Sequence, residues 1–211
     1  MGNKVFGVVC SRGNRVIDVA RPAEFNREEV LGRATQVFWD YGYCATSISR
    51  LVEATKLKPG SLYAAFESKE GLFLAALDHY AAQTRVRLSA ALDASENPID
   101  GIEAFFTRLV HSQADTRPGR GCLLVNTVLE VGRHNETVIA KVKGHLDEIE
   151  AMLHEALTRA QARGYLAGDR SPEALAAFLM TTIWGLRVLG GTGASIERAD
   201  RVVDQVMSLL R

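Results

Sequence analysis

Cysteine is scarce in this chain: Cys10, Cys44 and Cys122 are the only three among 211 residues. An odd count without ligand-like spacing excludes a disulfide framework and a cysteine-built zinc site, and it fits a reducing compartment. Net charge is missing too, because 25 Lys and Arg balance 25 Asp and Glu. No global field therefore draws the chain to nucleic acid or to a membrane, and binding of either kind must rest on a local arrangement. Long apolar runs are also lacking. Val5 to Cys10 is too short to span a bilayer, no small-residue cleavage pattern follows it, and no later stretch reaches membrane length without a charge. Met1-Gly2-Asn3-Lys4-Val5-Phe6 lacks the Ser or Thr of a myristoylation signal. The expectation is a soluble cytoplasmic protein with no membrane partner.

Alternating strand patterns and internal repeats are absent, while apolar residues make up 47% of the chain, enough for a sizeable core. What is present is helical periodicity. Residues 1–25 carry no sustained period, contain Gly2, Gly7, Gly13 and Pro22, and read as a flexible N-terminal arm with a basic excess. Asn26-Arg27-Glu28-Glu29 places a side-chain acceptor at an N-cap and a Glu three residues on, which opens a helix. Val30, Leu31, Ala34, Val37, Phe38 and Tyr41 form its apolar face, and Gly42 stops it. Thr46 or Ser47 caps a second helix ending near Ala54. The turn Thr55-Lys56-Leu57 leads to a third helix opened by Lys58-Pro59, where proline suits the first turn.

Thr46 to Phe66 is therefore a helix-turn-helix packed through Ile48, Leu51, Val52, Leu57 and Leu62, the arrangement that carries a helix into a DNA major groove. Its exposed chemistry suits phosphate. Lys58 supplies charge, Ser61 and Tyr63 supply hydroxyls, Gly60 lets a backbone come close, and Ser68-Lys69-Glu70 opens a fourth helix with free N–H groups and Lys69 beside them.

From about residue 72 onward the pattern is a bundle. Apolar positions recur at helical spacing over Ile102 to Val110, Leu123 to Val131, Val142 to Ala160, Leu175 to Leu186 and Ile196 to Leu210. Breaks fall at Asn97-Pro98, Arg117-Pro118-Gly119, Gly164, Gly168 and Gly190-Gly191-Thr192-Gly193. The fold class expected is all-α: a three-helix DNA-binding domain over 26–71 and a helical-bundle domain over 72–211. Candidate residues for a small-molecule pocket are Phe105, Phe106, Leu109, Cys122, Asn126, Thr127, Met180 and Trp184, with Leu124, Val128, His111, Thr181 and Arg187 beside them. Cys122 stands where a new helix starts, near Arg117 and Arg120, and both the helix dipole and positive charge favour a thiolate there.

Phe38, Gly42-Tyr43, Ala45-Thr46-Ser47, Gly60-Ser61-Leu62-Tyr63, Phe66 and Ser68-Lys69-Glu70 follow one another in an order that resembles the DNA-binding domain of the TetR/AcrR family of transcriptional repressors. One departure is Ala64-Ala65, where many members have an aromatic or His. The resemblance implies that Thr46, Ser47, Lys58, Gly60, Ser61, Tyr63 and Lys69 lie near DNA. It also implies that helices from about Pro172 to Leu189 and Ile196 to Leu210 pair across a two-fold axis in a homodimer. The Gly121-Cys122-Leu123-Leu124 start resembles a subset of the family that includes NemR-like repressors, some of which sense electrophiles through a cysteine of this region.

Three function classes follow. The first is a dimeric repressor released from a palindromic operator by a small-molecule or electrophilic effector. A second is a helix-turn-helix protein whose body only dimerises or docks a protein. A third, an all-helical enzyme, lacks a Ser/His/Asp order, a metal cluster or a phosphate-binding glycine loop. His145 and His154, nine residues apart, do not share a helix face for zinc, and no cofactor is implied.

Overall fold

In a computed structural model, residues 25–116 and 120–211 are described, the side chains of 112–116 excepted. The arm expected over 1–25 thus lies outside the described residues apart from Phe25, as does the break at Arg117-Pro118-Gly119. Among the described residues the fold is all-α, with nine helices and no strand.

Local chemistry sets the boundaries of the first four. α1 (Arg27–Tyr41) is capped by the Asn26 carboxamide, which accepts the N–H groups of Glu28 and Glu29 at 3.0 and 3.2 Å. The Glu29 carboxylate does not close a reciprocal box; it pairs with Arg33 one turn on. Gly42 ends α1 at φ 74°, a left-handed backbone that glycine adopts without penalty. α2 (Ile48–Thr55) is capped by Ser47, and Lys56 turns the chain at φ 61° into α3 (Pro59–Phe66). Ser68 caps α4 (Lys69–Asp93) through the Gly71 N–H.

Leu51 and Leu62 are wholly buried and meet Phe38, Phe66 and Phe73 in the core of the N-terminal helices; Ile48 and Leu57 pack on its edge. α4 does not stop where that unit stops. The boundary expected at 71/72 falls inside α4, which runs unbroken for 25 residues and packs on α1 at one end and on α5 (Pro98–Thr116), α6 (Leu123–Val131) and α7 (Glu136–Ala162) further along. One rigid rod thus serves both halves.

α8 (Pro172–Gly191), capped by Ser171, packs along α7, and α9 (Ile196–Leu210) packs against α5. α8 extends through the first two glycines of the expected break before Thr192 ends it. Among the described residues it is the one helix long and apolar enough to cross a membrane. Phe178, Trp184 and Val188 on α8, with Val202 and Leu209 on α9, leave large apolar side chains exposed on these two helices.

Candidate DNA interface and effector cavity

α3 owes its position to Leu62 and Phe66, which anchor its inner face and turn Lys58, Pro59, Gly60, Tyr63 and Ala64 outward. A Cβ built on Gly60 meets no heavy atom within 4 Å, so nothing inside the chain demands a glycine there. Ser61 is half-buried and Ser47 is exposed at the start of α2, its Oγ holding the Arg50 N–H at 3.3 Å. Lys69 is tied down: its Nζ lies 4.5 Å from the Tyr43 ring centroid and 3.5 Å from the Cys44 carbonyl. It nonetheless keeps its charge on the same side as the α1–α2 turn.

Thr46 does not join this set. Its side chain is only 1% exposed and its hydroxyl donates to the Gly42 carbonyl, closing the turn after α1. The cap of α2 is Ser47 alone, and the contact to DNA expected of the Thr46 side chain is corrected accordingly.

Two hollows lie behind these helices. The inner cavity is lined by Phe105 and Leu109 of α5, Cys122, Leu124, Met180 and Trp184, with Tyr80 and Thr84 of α4 and Arg187 of α8. It leaves about 20 Å³ to the centre of a water-sized sphere, space for roughly one water. The Tyr80 hydroxyl, deeply buried, donates to Cys122 Sγ at 3.6 Å. Burial first, then the neighbouring thiol, push the Tyr80 phenol far above its ordinary range and keep it protonated as a donor.

Three expected pocket residues fall elsewhere. Phe106 is completely buried and belongs to the core. Asn126 and Thr127 face the outer hollow, a cleft of about 400 Å³ between α6 and α1 that Trp39, Asp40, Tyr43, Arg120 and Glu130 also line. Asn126 Nδ2 donates to the Arg120 carbonyl at 2.9 Å, and the Thr127 hydroxyl is spent on the Leu123 carbonyl. Of the neighbours, Leu124 and Arg187 line the inner cavity, whereas His111 is paired with Asp200 on the surface and Thr181 bonds back to Ala177.

Arg120 also departs from expectation. Its guanidinium is turned toward α1: it pairs with Asp40 at 2.8 Å, donates to the Gln36 side chain and carbonyl, and stacks 4.3 Å from the Trp39 ring centroid. It clamps α1, so the positive charge is spent there; Arg117 lies outside the described residues. At the other end of α6, Glu130 accepts the N–H groups of Tyr43 and Cys44 at 2.9 and 2.7 Å. The helix that begins at the cavity with Cys122 therefore holds the first helix and its following turn at both ends.

Tyr80 and Thr84, which the sequence does not mark as cavity residues, reach the cavity because α4 continues past the residues that pack on α1. The signal available is length: beyond Gly71 in the first turn, no Gly or Pro stands before Asp93. His145 is a satisfied core histidine on α7, with Nε2 at 2.8 Å from Asp78 and Nδ1 at 3.2 Å from Arg85, while Glu148 pairs with Arg85. That network ties α4 to α7 at His145, while Asp147, Glu148 and His154 stay exposed on the solvated side of α7.

Known proteins carry the same plan. Residues 30–76 match the family described as bacterial regulatory proteins, tetR family, and residues 98–206 match the tetracyclin repressor-like C-terminal domain. The HTH-type transcriptional repressor ComR of Escherichia coli K12 is 31% identical over 190 residues, covering 90% of each chain. A cysteine-substituted TetR family regulator CifR, solved with a 26-base-pair operator DNA, is 34% identical with a TM-score of 0.81, the match covering 90% of this chain and all of that one. The reduced form of E. coli NemR is 25% identical with a TM-score of 0.79 over 88% of this chain and 96% of that one. On these matches and this fold, the chain belongs to the TetR family of transcriptional regulators.

Proposed function

We propose that the chain is a homodimeric repressor that holds a palindromic operator through α2, α3 and the start of α4 and is released when a small molecule occupies the inner cavity. The observation that carries this reading is the double grip of α6. Cys122 lies in the cavity wall, while Arg120 and Glu130, flanking the same helix, hold α1 and the α1–α2 turn. An effector that displaces α6 must either break those bonds or move the DNA-binding helices with it. By linkage, DNA affinity then falls by the factor by which effector affinity falls on DNA.

On this reading Ser47, Lys58, Gly60, Ser61, Tyr63 and Lys69 face the phosphates, with residues 26–71 as the DNA-binding unit and 72–211 as the regulatory and dimerising one. The exposed Phe178, Trp184, Val188, Val202 and Leu209 supply the apolar area that two copies would cover, and this accounts for an α8 too apolar for a free surface. A two-fold dimer sets recognition helices roughly 34–36 Å apart, matching successive major grooves. Such a protein works at the chromosome, within the cytoplasm, and performs no catalysis.

A second reading of the trigger rests on the Tyr80–Cys122 bond: a thiol in the cavity wall, held by a protonated phenol, is placed to be modified by an electrophile. Selection from a random DNA pool tests the DNA reading, with enrichment of an inverted repeat expected and no enrichment contradicting it. A Cys122→Ser protein that still releases the selected DNA with every electrophile tested removes the thiol trigger.

A further inference from the structure

The inner cavity is apolar along its walls and positively charged at one side. Phe105, Leu124, Ile149, Met180 and Ile183 form the walls. Its neutral polar groups are already used: the Tyr80 hydroxyl is on Cys122 Sγ, and Thr84 Oγ1 donates to the Tyr80 carbonyl while accepting from Arg87 at 3.2 Å. Arg187 differs. It lines the cavity, and among the described residues its guanidinium has no carboxylate partner and no hydrogen bond. Arg87 from α4 reaches the cavity through Thr84, and Arg108 precedes the cavity residue Leu109 on α5. Neither of these two is paired with a carboxylate among the described residues. Burial, and then the charges of Arg187 and Arg108, lower the pKa of the Arg87 guanidinium; Arg187 is half-buried at the cavity, while Arg87 and Arg108 stand exposed at its rim.

A half-buried guanidinium beside an apolar hollow favours the arrival of a counter-charge, and exposed cations at the rim add to that attraction. A planar guanidinium fork matches a carboxylate or phosphate oxygen pair, and an apolar wall matches a hydrocarbon body. We propose that the effector is an anionic amphiphile, an apolar chain or ring ending in an oxyanion, bound with its body among α5, α6, α7 and α8 and its head on Arg187, with Arg87 and Arg108 adding charge at the rim. This deepens the repressor reading by naming the class of molecule its cavity takes. The walls can yield: Met180 is a flexible side chain, and a ligand larger than the resting space also displaces the wall formed by α6.

The test is calorimetric titration of the full chain, without DNA, with octanoate, octyl phosphate and 1-octanol below their aggregation limits. Both anions are expected to bind at least tenfold more tightly than the alcohol. In Arg187→Gln that preference should shrink to about twofold or less with alcohol binding unchanged, and Arg187→Lys should keep part of it. The ratio of octanoate to octyl phosphate affinity separates a carboxylate head from a phosphate head. Equal affinity for anion and alcohol, no binding of either anion, or an Arg187→Gln protein that keeps the full preference would each overturn the proposal. Because DNA is absent, loss of operator binding sinks the repressor reading alone, and loss of the anion preference sinks this inference alone.

Discussion

Glu130 and Cys44 are 86 residues apart and are joined by a 2.7 Å hydrogen bond from the Cys44 backbone N–H to the Glu130 carboxylate. The other oxygen takes the Tyr43 N–H at 2.9 Å, so one side chain of α6 satisfies two successive amides in the turn that leads into α2. A turn between helices leaves such donors unpaired. Here the regulatory half supplies their acceptor, and the placement of α2 and α3 depends on where α6 stands.

Glu130→Ala removes that acceptor. The Tyr43 and Cys44 amides are expected to lose most of their hydrogen-exchange protection, with a stability loss of about 1–2 kcal/mol, modest because water can reach the turn. Exchange measured by NMR or mass spectrometry checks it. Unchanged protection at both amides would mean that the turn holds itself.

Gly42→Ala should be worse than a helix-end substitution usually is. The residue has φ 74°, and a Cβ there would lie 2.6 Å from one Glu130 oxygen and 2.8 Å from the other. A loss of about 1–3 kcal/mol is expected from backbone strain plus the displaced carboxylate. The double variant with Glu130→Ala should be less destabilised than the two single effects added, because the clash is then gone. Strict additivity in thermal melts would separate the two residues.

At Gly60 the expectation divides fold from function. With open space around the missing Cβ, Gly60→Ala should leave the melting temperature unchanged or raise it, since alanine gains about 0.5–1 kcal/mol over glycine within a helix. Operator affinity should nevertheless fall about tenfold, because a methyl group would stand between α3 and the DNA backbone. Wild-type affinity in a fluorescence anisotropy titration would place the DNA elsewhere.

Tyr80 sets an alkaline limit. Its folded pKa is raised above the ordinary 10.0 of a free phenol, so above about pH 10 the unfolded chain releases a proton that the folded chain keeps. The contribution is complete below that pH and is lost as pH rises beyond it, with a slope of about 1.4 kcal/mol per pH unit for this group. Tyr43 is raised by burial and by Glu70, in the same direction. Urea unfolding between pH 9 and 11.5 should show a shallower decline in Tyr80→Phe than in the wild type; identical slopes would mean that the phenol ionises equally well in the folded state.

The helices could be read from sequence because their signals are local. Asn26, Ser47, Ser68 and Ser171 cap the helices they precede, and Leu51, Leu62 and Phe66 keep the spacing that buries them. What could not be read depends on partners distant in the chain. Thr46 has the composition of a DNA contact but turns inward to the Gly42 carbonyl. Arg120 looks like a partner for the Cys122 thiol two residues on, yet its guanidinium finds Gln36, 84 residues away, and Asp40. Asn126 and Thr127 share a helix with the cavity residue Leu124 but lie on the side facing α1, a distinction of helix rotation that apolar spacing alone leaves open.

The central claim is that the inner cavity and the DNA-binding helices communicate through α6. The direct measurement is operator affinity by anisotropy for a Cys10→Ser, Cys44→Ser chain before and after Cys122 is converted to its methyl disulfide, with mass spectrometry confirming complete conversion and a reductant reversing it. Adding a thiomethyl group to a wall with space for about one water must move α6, so affinity is expected to fall at least tenfold and to return on reduction. Fully converted protein that binds its operator as tightly as the unmodified chain would contradict the account.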